Sequence, residues 1–238
     1  MALPGDVCIG QRNVCLFRAA LLDTDCSPLG GADSGIVTVG LVTMTASPEV
    51  EEGTVAEPKN GCGTILYTVS DPDVIKRYNL TGEFALHDLE MEYILFGGTV
   101  VEGKTAGPND GETIGWASPG PDSTPNDGVY LEVIVQNVGQ GFGDCGGGAG
   151  GFLPYTGFVF GKTKLTPGDR TFENDVANVA FTGKAFQNPS LYNGPWNDWP
   201  GQGYIPTSPK VEIQYTQAQY DAMLAVAGCG WQTLPAGS

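Results

Sequence analysis

Four carboxylates, Glu49, Glu51, Glu52 and Glu57, fall within nine residues of one another. Two carboxyl groups facing each other across a cleft can protonate and attack a glycosidic bond, and clustered oxygens can hold calcium. The spacing matches no EF-hand, and no cleft can be read from the sequence. His87 beside Asp88 has the composition of a proton-relay pair, but no Gly-x-Ser-x-Gly nucleophile turn accompanies it. A capping or structural role fits His87 better. The run GQGFGDCGGGAGG over 139–151 has the glycine density of a phosphate cradle. It lacks the closing Gly-Lys-Ser/Thr, so a flexible loop or bulged hairpin tip is expected there, with Cys145 exposed. Six cysteines stand at 8, 15, 26, 62, 145 and 229, with no Cys-x-x-Cys pair and a single histidine. That set does not complete a zinc site, and buried or half-buried free thiols are expected. Trp196 and Trp199, in GPWNDWPGQGY, are suited to stacking on a sugar ring, ordering a loop, or plugging a subunit interface. No catalytic residue, metal or cofactor is assigned.

The net charge is −16 and the sequence pI about 4.1, so the chain repels nucleic-acid phosphates and anionic membranes. The imbalance is local as well. No Lys or Arg occurs between Arg18 and Lys59, or between Lys104 and Lys162. Solubility alone is a competing explanation for this acidity. Glycine (36) and proline (17) are frequent without a repeating period, which favours many turns and few long helices. The 238 residues suffice for one large β-sandwich or barrel. The opening Met-Ala-Leu-Pro-Gly-Asp has neither a basic segment nor an apolar one, so no export signal is expected. No apolar run reaches the roughly 18 residues of a membrane span, and synthesis and assembly in a cytoplasm are expected.

The elements that would position these groups are mostly strands. VCLFRAALL at 14–22 fits a first strand or a short helix, and 23–35 reads as a loop. Ile36 to Ala46 alternates with apolar residues on both parities, which predicts one strand with the core on one face and a neighbouring sheet or subunit on the other. Asn60-Gly61 signals a turn. Thr64–Val69 then returns, making a long 36–69 hairpin with a carboxylate-bearing tip. A helical turn is expected over 70–78 and a strand over 79–85. Asp88 to Phe96 is the strongest helix, capped by Asp88, striped by Leu89, Tyr93 and Phe96, and stopped by Gly97-Gly98. Residues 104–128 read as loop around Trp116, and 129–138 as a strand. Phe158–Leu165 and Val176–Phe186 read as two strands about Pro167-Gly168-Asp169. Lys210–Tyr215 is a final strand, followed by a helix with a Thr216/Gln219 capping box and a stop at Gly228.

The stretches PEVEEGTVAEPKNGCG, YNLTGEFALHDLEMEYILFGG and the region 158–199, including TFENDVANVAFTGKAFQNP and GPWNDW, resemble the major tail (tail tube) proteins of long-tailed phages, especially those of actinobacteria. The resemblance covers roughly residues 1 to 215. It implies a single mainly-β domain over 1–238, a β-sandwich or barrel of the tail-tube type with a flanking helix and long loops. It further implies a structural virion protein rather than an enzyme. Six copies would form a ring, and rings would stack into a tube through which DNA passes. Its partners would be itself and the tape-measure, tail-terminator and baseplate or tail-tip proteins. The implied location is the virion tail, assembled in the bacterial host cytoplasm, with no membrane association. An acidic lumen would keep DNA from sticking, and Glu49, Glu51, Glu52 and Glu57 are the lumen or ring-edge candidates. Interface candidates are Ile36, Val37, Val39, Leu41, Val42, Trp116, Trp196 and Trp199, with the loops at 104–128 and 139–157. The competing readings are a carbohydrate-binding β-sandwich module and a glycan hydrolase.

Overall fold

A computed structural model describes residues 9–86, 88–121, 126, 128–139, 153–170, 178–191, 194–199 and 208–235. His87, Cys8, Cys145, the glycine run after Gly139 and the segment 171–177 lie outside the described residues. The chain order is β1 (Ile9–Leu21), β2 (Gly31–Thr38), β3 (Leu41–Glu51), β4 (Val55–Ala56), β5 (Val69–Ser70), β6 (Val74–Phe84) and α1 (Leu89–Phe96). It continues with β7 (Thr99–Glu102), β8 (Thr113–Ala117), β9 (Val129–Gly139), β10 (Tyr155–Pro167), β11 (Val179–Phe186), β12 (Val211–Tyr215), α2 (Gln217–Leu224) and β13 (Gln232–Leu234). The fold is mainly β, as the sequence predicts, with two helices among the described residues.

Nine strands form one antiparallel sheet in the order β13-β2-β1-β9-β10-β11-β6-β3, with β12 added along β10. β2 and β3 sit towards opposite ends of this order, yet only Val39 and Gly40 separate them in the chain. The sheet therefore curls until its two ends converge. Phe17 of β1 and Phe84 of β6 meet edge-to-face across the interior, 4.9 Å between centroids. Around them pack Leu80, Met91, Ile94, Leu131, Phe160 and Phe181, all nearly or fully buried.

This curl corrects the single strand expected over Ile36–Ala46. The break falls at Gly40, where a Cβ would stand 2.9 Å from Leu86. The Gly40 amide donates to Thr38 Oγ1, and the Gly40 carbonyl accepts from the Ala85 amide. Apolar residues on both parities follow from β2 being covered twice. Ile36 packs into the interior. Val37 packs outward with Leu16, Ile134, Tyr215 and the α2 residues Tyr220 and Met223. The second cover is thus the chain's own C-terminal helix.

The returning strand of the long hairpin is also corrected. It is β6, not Thr64–Val69, and it pairs with β3 from Leu41↔Phe84 out to Glu51↔Val74. The short pair β4–β5 and a bridge between Lys59 and Ile65 extend the ladder. Asn60 turns the chain as expected, its side-chain oxygen accepting from the Cys62 and Thr64 amides. The helical turn expected over 70–78 is absent. Val74, Ile75 and Tyr78 are β-branched or aromatic residues that favour the extended ladder once β3 offers a partner.

α1 forms as read. The Asp88 carboxylate accepts from the Glu90 and Met91 amides, and Gly97 ends the helix at φ 77°. The buried residues are Met91, Glu92, Ile94, Leu95 and Phe96 rather than the Leu89–Tyr93–Phe96 stripe, and the Glu92 carboxylate pairs with Arg170. Residues 99–117, expected to include only loop beyond 104, contain the β7–β8 hairpin. In α2 the Thr216/Gln219 capping box is complete, but the helix ends at Leu224. The Gly228 amide donates to the Val37 carbonyl instead of terminating the helix. No helix among the described residues is long and apolar enough to cross a membrane.

Candidate functional site

The β3–β6 hairpin leaves the body of the protein partway along its length. Near the body, Leu41, Leu80 and Phe84 are buried. From Ser47 outward almost every residue is exposed until Tyr78. This outer arm is nevertheless apolar. Of the sixteen large apolar side chains exposed among the described residues, eight lie between Val50 and Ile75: Val50, Val55, Ile65, Leu66, Tyr67, Val69, Val74 and Ile75. Leu66 and Tyr67 are each 61% exposed. Exposed apolar surface concentrated on one extension differs from scattered single residues, which need no explanation.

The same arm carries all four candidate carboxylates. Glu49 receives two hydrogen bonds from the Arg77 guanidinium, each 2.6 Å, across the β3–β6 pair. Those bonds hold its carboxyl below the usual range. Glu51 pairs with Lys76 at 3.2 Å. Glu52 and Glu57 are exposed and make no ion pair among the described residues. The four therefore lie on one element but differ in charge environment. Between Leu41 and Phe84, seven carboxylates face three cations, so the arm is acidic as a whole.

The interface candidates separate into two groups. Val39 and Val42 are 55% and 52% exposed and remain open to a neighbour. Ile36, Val37 and Leu41 are at most 5% exposed within this chain, and Trp199 only 8%. These four are corrected from interface to core residues. Trp116 is half-buried, lies near Phe96, and donates its indole N–H to the Gly97 carbonyl at 2.8 Å. Trp196 is half-buried, with the Arg18 guanidinium 4.6 Å above its ring. Both tryptophans of the GPWNDW segment flank Tyr130. These contacts pack the segment against the body; Trp199 is buried, and Trp196 is half-buried.

The densest polar cluster was not anticipated from the sequence. Arg18 on β1 and Glu132 on β9 are both essentially buried and cross-strand partners. Arg18 Nε donates to Glu132 at 2.9 Å, and its outer nitrogens bond Asp198 and Glu132. Tyr130 and Tyr215 donate their hydroxyls to Glu132 at 2.8 and 2.6 Å. Burial, and then the Glu132 charge, push both phenols up. Burial acts to lower the Arg18 pKa, but Glu132 and Asp198 outweigh it and hold the guanidinium firmly charged. These donors converge on Glu132 and Asp198 and join β1, β9, β12 and the 194–199 segment, while the neighbouring buried Trp199 indole N–H has no hydrogen-bond partner among the described residues. Lone Arg and Glu residues at the centre of apolar strands, as in LFRAAL and YLEVIV, are the signal that could have exposed it.

A groove of about 1460 Å³ lies between α1, the β7–β8 hairpin and the first residues of β2. Asp33, Asp88, Glu90, Glu102 and Glu112 line it with no Lys or Arg. Asp88 is already committed to capping α1 and to the Gly230 amide. No group of three or more metal-binding side chains is placed to hold an ion among the described residues. The four described cysteines, 15, 26, 62 and 229, are free thiols; Cys15 and Cys26 are half-buried as expected, but Cys62 and Cys229 are exposed, which corrects the expectation for those two. No known family model matches the chain, and no curated protein matches it.

Proposed function

We propose that this chain is a structural subunit that assembles with copies of itself into stacked hexameric rings, forming the tail tube of a long-tailed phage. The observation that carries the reading is the outer hairpin arm, which is held by a regular ladder yet exposes Val50, Val55, Ile65, Leu66, Tyr67, Val69, Val74 and Ile75. In an isolated monomer such a surface is an aggregation hazard; in a ring or stack it is buried against the next copy. The terminal position of β3 in the sheet order adds a strand edge for the same purpose. The sequence resemblance to tail tube proteins points the same way.

DNA passes through the lumen of such a tube without specific binding. Glu52 and Glu57 are the better lumen candidates, since Glu49 and Glu51 are partly neutralised by Arg77 and Lys76. Unpaired carboxylates repel the phosphate backbone and keep friction low. Tape-measure, tail-terminator and baseplate or tail-tip proteins would meet the ends and interior of the tube. The subunit would be assembled in the host cytoplasm and reside in the virion tail. The role requires neither a cofactor nor a catalytic step.

Sedimentation velocity over a wide concentration range, followed by negative-stain imaging of the heaviest fraction, tests this. Six-fold rings or hollow tubes support it. A species that remains a monomer at every concentration and salt contradicts self-assembly.

A further inference from the structure

The loop between β1 and β2 places a thiol against an amine. Lys162 Nζ on β10 lies 2.9 Å from Cys26 Sγ, although the two residues are 136 positions apart. Their backbones are fixed by a third residue. The buried Asn188 side-chain amide donates to both the Cys26 and the Gly161 carbonyls, each at 2.9 Å. The Cys26 amide donates to the Asp23 carbonyl, closing the turn that presents the thiol. On the other side, a Cβ at Gly128 would come within 3.0 Å of the Lys162 stem, so glycine there leaves the lysine its path. Lys162 makes no ion pair among the described residues, so no carboxylate competes for its nitrogen. Both side chains are half-buried, which admits a small oxidant.

We infer that Cys26 and Lys162 form an oxidative cross-link, a covalent S–O–N bridge made when the protein meets hydrogen peroxide. The Lys162 ammonium first releases a proton to solvent. The Cys26 S–H bond and one Lys162 N–H bond then break, and one S–O and one O–N bond form. Sulfur and nitrogen each give up an electron pair. Two equivalents of peroxide accept these pairs at their O–O bonds; one oxygen stays in the bridge and three waters leave. The geometry favours the bridge over further oxidation of sulfur, because the nitrogen is already in place at the sulfur. The link would fasten the β1–β2 loop to β10 and is independent of the tail-tube reading.

The test is intact-mass analysis of the full-length chain before and after peroxide, with peptide mapping. The bridge adds the mass of one oxygen less two hydrogens. It blocks tryptic cleavage after Lys162 and joins the Cys26-containing and Lys162-containing peptides. Dithiothreitol reverses all three changes. Cys26→Ser and Lys162→Arg each abolish the linked peptide, and the bridged wild type melts roughly 5–10 °C higher than the reduced form. Recovery of Cys26 only as free thiol, sulfinic or sulfonic acid, or of joined peptides lacking the added oxygen, overturns the inference.

Discussion

The body around Arg18 and the outer arm beyond Ser47 solve opposite problems with the same antiparallel ladder. In the body, β1 and β9 are covered on both faces, and even charged side chains are buried once each has a partner. In the arm, the ladder continues from Glu51↔Val74 to the bridge at Lys59, but neither face is covered by another of the described residues. Backbone pairing, the Glu49–Arg77 and Glu51–Lys76 pairs and the Asn60 turn give the arm its shape, with no apolar packing behind them. A hairpin with no third strand or packed face is marginal in water. The body buries its apolar side chains within its own chain, whereas the arm leaves Val50, Val55, Ile65, Leu66, Tyr67, Val69, Val74 and Ile75 exposed.

The largest expected effect lies in the body. Glu132→Leu leaves the buried Arg18 facing only Asp198 and removes the acceptor of two tyrosines. It should cost about 3–5 kcal/mol in denaturant unfolding. Adding Arg18→Met to that variant should restore much of the loss, because a buried ion pair can often be replaced by apolar side chains but not halved. If the single variant unfolds like wild type, the cluster does not organise the body.

Alkaline pH attacks the same place. The Tyr130 and Tyr215 phenols are raised by burial and by Glu132. In the unfolded chain they ionise near pH ~10, so their contribution is fully present below that value and is lost as pH rises above it. Unfolding midpoints should fall steeply beyond about pH 10, and Tyr215→Phe should lessen the fall. A smaller effect is expected at α1. Asp88→Ala removes the acceptor of the Glu90, Met91 and Gly230 amides and should cost about 1 kcal/mol.

The arm should behave in the reverse way. Leu66→Ser with Tyr67→Ser should change monomer stability by no more than about 0.5 kcal/mol, since both residues are exposed. Self-association should nevertheless be lost. The least effect is expected from acid acting on Glu49. Its folded pKa is depressed by Arg77, so the pairing contributes above the unfolded value near pH ~4.3 and fades as pH falls through the folded one. Lower amide protection along the outer β3–β6 ladder below about pH 4, after correction for the slower intrinsic exchange in acid and with the body unchanged, would register this.

Much of the body was legible in the sequence. Asp88 and Thr216 announced both helices through their capping chemistry, and 129–138 and 158–165 read as strands from β-branched and aromatic content. The errors came from tertiary context. Periodicity could not show that Ile36–Ala46 bends at Gly40 between two ends of one sheet, because each half is apolar on its own. Val74–Tyr78 looked helical after Ser70-Asp71-Pro72-Asp73 until a long-range partner, β3, was available. At the candidate site, the carboxylates of the arm were found but their pairing was not, since Arg77 is 28 residues from Glu49 in sequence. Trp196 and Trp199 read as sugar-stacking, loop-ordering or interface residues, because their partners Arg18 and Tyr130 come from distant strands.

The most direct test is negative-stain electron microscopy of two matched samples, the wild-type chain and Leu66→Ser/Tyr67→Ser, at equal concentration and with thermal melting measured on each. Rings or hollow tubes from the wild type, and dispersed monomers of unchanged melting temperature from the variant, are the expected result. Wild-type protein that never assembles, or a variant that forms tubes as readily, would contradict the assignment of the arm as the assembly surface.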